Sequence, residues 1–112
     1  FYTESSIGIQ IETCLSLFVE YCSVTGNASY DALHVSQGSF VRANCLFVEK
    51  ANAAISSFYG STVLSNECQT VSNVKYGLYA DLGGTIKKTS VTQPTGSTAN
   101  EYAVTSRGGQ II

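Results

Sequence analysis

The side chains most able to do chemistry in this sequence are those that could activate a hydroxyl or a thiol. His34 is the only histidine among the 112 residues, so a Ser–His–Asp or Cys–His hydrolase would have to use it, with Asp31 or Asp81 orienting the ring. No Gly-x-Ser-x-Gly turn is present to expose a serine. Eight acidic residues give accidental carboxylate pairs in so short a chain. We therefore predict no catalytic residue and no enzymatic activity.

The four cysteines, Cys14, Cys22, Cys45 and Cys68, are separated by 8, 23 and 23 positions. Zinc sites usually contain closely spaced Cys-x2-Cys pairs, so we predict no metal site and no cofactor. An even number of cysteines in a short chain favours two disulfide bonds, the alternative being buried free thiols. If residues 5–22 are helical, Cys14 and Cys22 lie about 12 Å apart, beyond the reach of a disulfide. Each would then pair with Cys45 or Cys68, and the sequence does not choose between these pairings.

The composition and the first residues indicate a secreted protein. The chain begins Phe1-Tyr2-Thr3-Glu4 with no basic or apolar leader, so we expect a mature chain released from a longer precursor. Asn27 begins an Asn-Ala-Ser acceptor for glycosylation. No segment has the roughly 18 consecutive apolar residues that a membrane span needs. A net charge of −2 with 12% charged residues excludes broad electrostatic capture of nucleic acid or of an anionic membrane.

Tyrosines are the strongest remaining signal for binding. The chain has seven tyrosines and five phenylalanines, and most of them are expected in the core. An apolar ring with a polar tip nevertheless suits an interface. The candidates for an exposed binding cluster are Tyr2, Tyr30, Tyr79 and Tyr102.

The spacing of apolar residues predicts helices early in the chain and strands later. Segment 5–22 carries apolar residues and cysteines at helical spacing, although its first turn also alternates as a strand would. Segment 40–59 fits either one helix ending at Gly60 or a strand at 40–48 followed by a helix at 49–59. From residue 62 onward the alternation is that of strands, and Gly83-Gly84 predicts a two-residue hairpin turn.

These elements predict one domain spanning residues 1–112, without an internal repeat. The expected fold is α+β, with two helices packed on an antiparallel sheet of four to five strands and disulfides joining the layers.

A pattern across residues 13–79 carries a family resemblance. It begins with Thr13-Cys14-Leu15 and continues with a strand-like Asn44-Cys45-Leu46-Phe47-Val48-Glu49. Then come Ile55-Ser56-Ser57-Phe58, Gly60, Val63-Leu64, Cys68 and Val74-Lys75-Tyr76-Gly77-Leu78. This order of a cysteine helix, a cysteine strand, a helix, a second cysteine and a valine–lysine–aromatic–glycine run resembles fungal killer-toxin-like secreted effector domains.

The resemblance implies a secreted, non-enzymatic protein that acts by binding the membrane or a surface receptor of a target cell. It also implies a binding role for an exposed lysine, Lys87 or Lys88, and a second chain cut from the same precursor. The alternative is a structural subunit of an extracellular filament or coat that self-associates through its strand-like ends, Ile7–Ile11 and Gln110–Ile112. No nucleic-acid partner is expected.

Overall fold

The computed structural model describes residues 8–112, which form nine β-strands and one short 3-10 turn. The strands are β1 (Ile9–Glu12), β2 (Leu17–Thr25), β3 (Leu33–Ser36), β4 (Phe40–Ser57), β5 (Thr62–Asn66), β6 (Gln69–Ala80), β7 (Thr85–Lys88), β8 (Ala99–Ala103) and β9 (Gln110–Ile111). The 3-10 turn spans Thr105–Arg107. No helix in the described part of the chain is long and apolar enough to cross a membrane.

Every strand pairing is parallel, and each strand lies beside the segment that follows one coil later. Ile9 pairs with Leu33, Leu33 with Ile55, Ile55 with Leu78 and Leu78 with Glu101. These partners are 24, 22, 23 and 23 positions apart. The chain is therefore wound as a parallel β-solenoid with about 23 residues in each coil.

The coils have three sheet faces. The first face contains β1, β3, β8 and the C-terminal parts of β4 and β6. The second face contains β5, β7, β9 and the N-terminal parts of β2 and β4. On the third face the end of β2, the middle of β4 and the start of β6 lie side by side. The long strands β2, β4 and β6 thus bend from one face to the next.

Residues in the left-handed conformation recur at equivalent corners, where the chain turns from one face to the next. The corner between the first and second faces repeats most regularly. Its non-glycine members are Thr13, Gln37, Tyr59 and Leu82, and the residue after the last three is a glycine that also has positive φ. The corner between the second and third faces contains Tyr21, Cys45 and Glu67, and the corner between the third and first faces contains Lys50 and Asn73.

The core consists of inward-facing aliphatic side chains that stack from coil to coil. On the first face Leu33, Ile55 and Leu78 are register partners and are completely buried. On the second face Val41, Val63 and Ile86 form an equivalent stack. Burial of each such side chain contributes about 1.5–3 kcal/mol, so these stacks hold the outward-facing residues in fixed rows.

The predicted α+β fold is wrong, because both predicted helices are strands. Residues 8–22 form β1, a corner and the start of β2, whereas 5–7 lie outside the described residues. Segment 40–57 is the single strand β4, so the strand alternative for 40–48 is confirmed, and both the long helix and the helix at 49–59 are wrong. Positive φ values at Cys45 and Lys50 bend this strand at two corners. Each bend shifts the inward–outward alternation, and the resulting spacing of apolar residues imitates that of a helix.

The predicted hairpin at Gly83-Gly84 is also wrong, and with it the antiparallel sheet. Strands β6 and β7 lie on different faces, and β7 pairs with β5 and β9 instead. Gly83 has a φ of 79° at the corner, but Gly84 is needed for a different reason. A Cβ at Gly84 would overlap the backbone carbonyl of Ser57 in the preceding coil.

The predicted disulfides are wrong as well, since all four cysteines are free. The parallel register places Cys22 beside Leu46, not beside another cysteine. The thiols donate to nearby oxygens instead, as Cys22 Sγ does to the Glu20 carbonyl at 3.2 Å and Cys68 Sγ to the Asn66 carbonyl at 3.4 Å. Burial raises the pKa of the Cys68 thiol, so this group stays protonated and unreactive.

Candidate functional site

The first face of the solenoid carries a row of aromatic side chains on its outer surface. Ser56, Tyr79 and Tyr102 are register partners on β4, β6 and β8. Tyr76 precedes Tyr79 on the same strand, and Phe58 follows β4 directly. We call Phe58, Tyr76, Tyr79 and Tyr102 the aromatic strip.

The rings of the aromatic strip contact one another continuously. Phe58 stacks on Tyr79 with centroids 5.6 Å apart and ring planes 10° apart. Tyr79 stacks on Tyr102 at 5.1 Å and 24°. Tyr76 lies 5.3 Å from Tyr79 and 5.1 Å from Tyr102. Separations in this range are favourable for aromatic pairs, so the rings support each other as one surface across neighbouring coils.

The strip is partly exposed, and its outermost ring is accessible. Tyr102 is 43% exposed, whereas Phe58, Tyr76 and Tyr79 are half-buried. Burial raises the pKa of the Tyr79 hydroxyl, and the nearby Asp81 carboxylate raises it further. The Tyr79 phenol is therefore neutral at physiological pH, and its hydroxyl can donate or accept a hydrogen bond.

A polar cluster lies at one end of the strip and consists of Asp31, His34, Asn52 and Ser56. His34 Nδ1 lies 2.7 Å from Ser56 Oγ and 3.3 Å from Asp31 Oδ2. Asn52 Nδ2 donates to Asp31 Oδ1 at 3.1 Å. The imidazole ring is 5.0 Å from the ring of Phe58, so the cluster continues directly into the aromatic strip.

Asp31, His34 and Ser56 do not form a nucleophilic triad. Ser56 and Asp31 both approach Nδ1 of His34, whereas a triad uses opposite ring nitrogens for serine and aspartate. Ser56 is also completely buried, so no substrate could reach its hydroxyl. Because the Asp31 carboxylate accepts hydrogen bonds only, it favours a proton on Nδ1 and leaves Nε2 of a neutral His34 as an acceptor.

Hydrogen bonding keeps Asp31 ionised in spite of its burial. Burial by itself would raise the pKa of this carboxyl group. Hydrogen bonds with His34, Ser56 and Asn52 outweigh that effect, and the pKa of Asp31 is lowered from 3.8. The cluster therefore holds a carboxylate whose charge is used within the protein.

Charged groups that border the strip are paired or lie over a ring. The Lys88–Glu101 pair, with Nζ 2.9 Å from Oε1, lies on the other side of β8 from Tyr102, because Glu101 is the register partner of the inward-facing Leu78. Arg107 forms a two-point ion pair with the buried Asp81, and Lys75 Nζ lies 5.3 Å from the centre of the Tyr76 ring. Residues 8–112 contain no cluster of three metal-ligating side chains. The strip is thus an aromatic surface with little net charge.

The structure brings some of the candidate binding residues together and separates others. Tyr79 and Tyr102 are in contact, as described above. Tyr30 lies in the loop between β2 and β3, and Tyr2 is outside the described residues. Lys87 is on the second face beside Leu64, whereas Lys88 is held by Glu101.

The glycosylation candidate Asn27 lies in the turn after β2. Its side-chain oxygen accepts a hydrogen bond from the backbone N–H of Ser29 at 2.9 Å. This contact is an ordinary feature of a turn, and glycosylation of Asn27 stays a prediction.

Sequence reasoning named Asp31 as one of two candidate partners of His34, but it missed Asn52, Ser56 and the place of Phe58 in the strip. The available signal was the coil spacing. Tyr102 follows Tyr79 by 23 positions, Tyr79 follows Ser56 by 23, and Ser56 follows His34 by 22. Recognising this period would have placed all four residues in one outward row.

Comparison with known proteins agrees with the coiled architecture. A family model described as a right-handed beta helix region matches residues 1–93. No curated protein and no solved structure matches the chain significantly. The resemblance to killer-toxin-like effectors is therefore wrong. The residues that suggested it fall on successive coils of one solenoid and not on a helix packed against a sheet.

Proposed function

The chain belongs to the right-handed β-helix family, and from its aromatic strip we propose that it is a non-enzymatic module that binds a neutral polysaccharide. The ligand lies along the first face of the solenoid, roughly parallel to its axis. The continuous contact of Phe58, Tyr79 and Tyr102 across successive coils is the observation that carries this proposal.

The strip matches the amphipathic surface of a sugar chain. Sugar rings present C–H groups on their faces and hydroxyl groups around their edges. Tyrosine offers an apolar ring together with a hydroxyl that donates and accepts. Adjacent strands are about 4.8 Å apart, so the row from His34 to Tyr102 extends over about 14 Å. This length accommodates a short run of sugars.

Charge pairing around the strip favours a neutral ligand. The Asp81 carboxylate is held by Arg107, so it offers no free charge to a cationic ligand. The hydrogen-bonding groups along the strip are the phenol hydroxyls, and the His34 side chain at its end is 17% exposed. Because this recognition uses dispersion and neutral hydrogen bonds, we expect little change in affinity between low and high salt.

Removal of the exposed ring tests the proposal. The protein and its Tyr102→Ala variant are titrated calorimetrically with soluble neutral polysaccharides, such as a β-glucan and a mannan. An aromatic contact is worth about 0.5–1.5 kcal/mol, so Tyr102→Ala should weaken binding roughly 2- to 12-fold.

Tyr30→Ala is the matched control, because Tyr30 is 41% exposed and is absent from the ring contacts of the described residues. It should bind as the unmodified protein does. Failure to bind any neutral polysaccharide, or equal weakening by both substitutions, would contradict the proposal. An extracellular location is part of it, since such polysaccharides are found outside cells.

A structural role is a second candidate, supported by the strands at both ends of the described solenoid. Within residues 8–112, β1 pairs only with β3, β8 only with β6, and β9, which lies in the predicted end 110–112, only with β7. Each leaves an edge with backbone groups that a second copy could pair with. Light scattering over a range of concentrations tests this, and a constant monomer mass would exclude self-association.

A further inference from the structure

The two stacked tyrosines of the strip have a chemical property that glycan binding does not use. Tyr79 and Tyr102 are register partners on the adjacent parallel strands β6 and β8, so the ladder between the strands fixes the distance between them. Their rings are 5.1 Å apart with planes inclined by 24°. The two phenol rings are therefore close enough to form a covalent bond with each other if both are oxidised.

We propose that Tyr79 and Tyr102 form an oxidative cross-linking site, at which a one-electron oxidant such as a haem peroxidase with hydrogen peroxide joins the two rings as dityrosine. Each phenol loses one electron and its hydroxyl proton. The two radicals then form a carbon–carbon bond between ring positions ortho to the oxygens. Each ortho hydrogen moves to the oxygen of its own ring, and the two electrons and two protons reduce one peroxide to two waters.

Access and geometry favour this pair over other tyrosines. Tyr102 is 43% exposed, so it can be oxidised first, and the half-buried Tyr79 lies against its face. Tyr76 is equally near Tyr102 but is tilted by 43°, and it is not the register partner of Tyr102. Tyr30 and Tyr21 are exposed at 41% and 75%, but neither makes a contact with another tyrosine ring among the described residues.

The cross-link would join the last two coils covalently. Within the described residues β8 pairs only with β6, so it is held from one side. A bond between residues 23 positions apart restricts the unfolded chain in the way a disulfide does. We therefore expect the oxidised protein to unfold at a higher temperature than the untreated protein.

The test treats the dilute full-length chain with peroxidase and limiting peroxide. The expected product is a monomer whose mass is lower by two hydrogen atoms and which has dityrosine fluorescence. Trypsin cleaves after Lys75, Lys87, Lys88 and Arg107, so the product should contain peptide 76–87 joined to peptide 89–107. Tyr102 is the only tyrosine in the second peptide, and fragmentation should place the other end at Tyr79.

Two variants make the result decisive. Tyr102→Phe keeps the ring but lacks the phenol, so it should fold normally and lose the intramolecular product. Tyr30→Phe, at a site of matched exposure, should retain the full yield. An intramolecular product in Tyr102→Phe, a link through Tyr76, or covalent dimers as the main product would overturn the proposal. Polysaccharide binding by untreated protein is measured separately, so the two proposals can fail independently.

Discussion

Substitution of two adjacent glycines by alanine distinguishes the solenoid corner from the predicted hairpin. In a two-residue hairpin of the type expected for Gly83-Gly84, positive φ is needed at both positions. In the solenoid, Gly83 has a φ of 79°, and an added Cβ has only ordinary contacts, the nearest at 3.5 Å from Gly60 N. Gly84 instead touches the preceding coil, so the two glycines are needed for different reasons.

The structure predicts a larger loss for Gly84→Ala. Its Cβ would overlap the carbonyl of Ser57 and lie 2.8 Å from the backbone nitrogen of Phe58. Because both are backbone atoms, the overlap can be removed only if the two coils move apart. The Ser57 carbonyl also accepts the Asp81 N–H at 3.1 Å, and this bond would weaken. Overpacking of about 1–3 kcal/mol and a hydrogen bond of about 1 kcal/mol together give a loss of about 2–4 kcal/mol.

Gly83→Ala should lose less, about 1 kcal/mol, which is the strain of a left-handed alanine. Urea unfolding followed by far-ultraviolet circular dichroism measures both variants against the unmodified protein. With a slope of about 2 kcal/mol/M, the midpoint of Gly84→Ala should fall by about 1–2 M and that of Gly83→Ala by less than about 1 M. A Gly83→Ala loss equal to or larger than that of Gly84→Ala would refute the close approach described for this corner.

Three further predictions concern buried polar groups. Hydrogen bonds keep the folded pKa of Asp31 below 3.8, so the stability that its carboxylate contributes is present above about pH 4 and is lost as pH falls further. Asp31→Asn should therefore flatten that part of the profile of unfolding free energy against pH, measured by urea unfolding. Arg107→Gln should lower the free energy of unfolding by about 2 kcal/mol in the same assay, since it leaves the buried Asp81 carboxylate without its cation; an unchanged midpoint would show that the pair contributes nothing. Cys68 is completely buried and its pKa is raised, so its thiol should react with a thiol reagent only on unfolding, after the other three cysteines. Because all four cysteines are free, a reducing agent should not change the melting temperature of the protein.

The strands in the second half of the chain could be predicted from alternation, but their partners could not. The expectation of strands from residue 62 onward is confirmed by β5, β6, β7, β8 and β9. Alternation of apolar and polar residues shows that consecutive side chains face in opposite directions. It does not show whether the neighbouring strand is parallel or antiparallel. The glycine pair then suggested a hairpin, because a tight reversal and a solenoid corner both use positive φ.

In the first half of the chain the spacing of apolar residues wrongly predicted helices, because the corners interrupt the alternation of inward and outward side chains. Leu15 and Phe18 fit the helical stripe of segment 5–22, yet they are 94% and 56% exposed. Ala53, Ala54 and Ile55 are all completely buried, a run that fits a buried helix as well as it fits a bent strand. The decisive signal was long-range. Glycines at 38, 60, 83 and 108 recur every 22 to 25 positions, and the next residue is always serine or glycine.

The candidate site was predictable in composition but not in arrangement. The surplus of tyrosine pointed to binding, and Tyr79 and Tyr102 were both named from it. Their contact depends on a separation of 23 residues, which is meaningful only once the length of a coil is known. Asp31 is close to His34 in sequence and was named as a candidate partner, whereas Ser56 lies one coil away and was hidden for the same reason.

The coil-to-coil pairing determines how the molecule should open. Each coil contacts its neighbours in the stack, so stability is close to a sum of local terms and opening should begin at the ends. The 18-residue strand β4 pairs with β2, β3, β5 and β6, whereas β1, β2, β8 and β9 each have one described partner. Amide hydrogens of β4 should therefore exchange with solvent most slowly, and those of the four strands with one partner should exchange first.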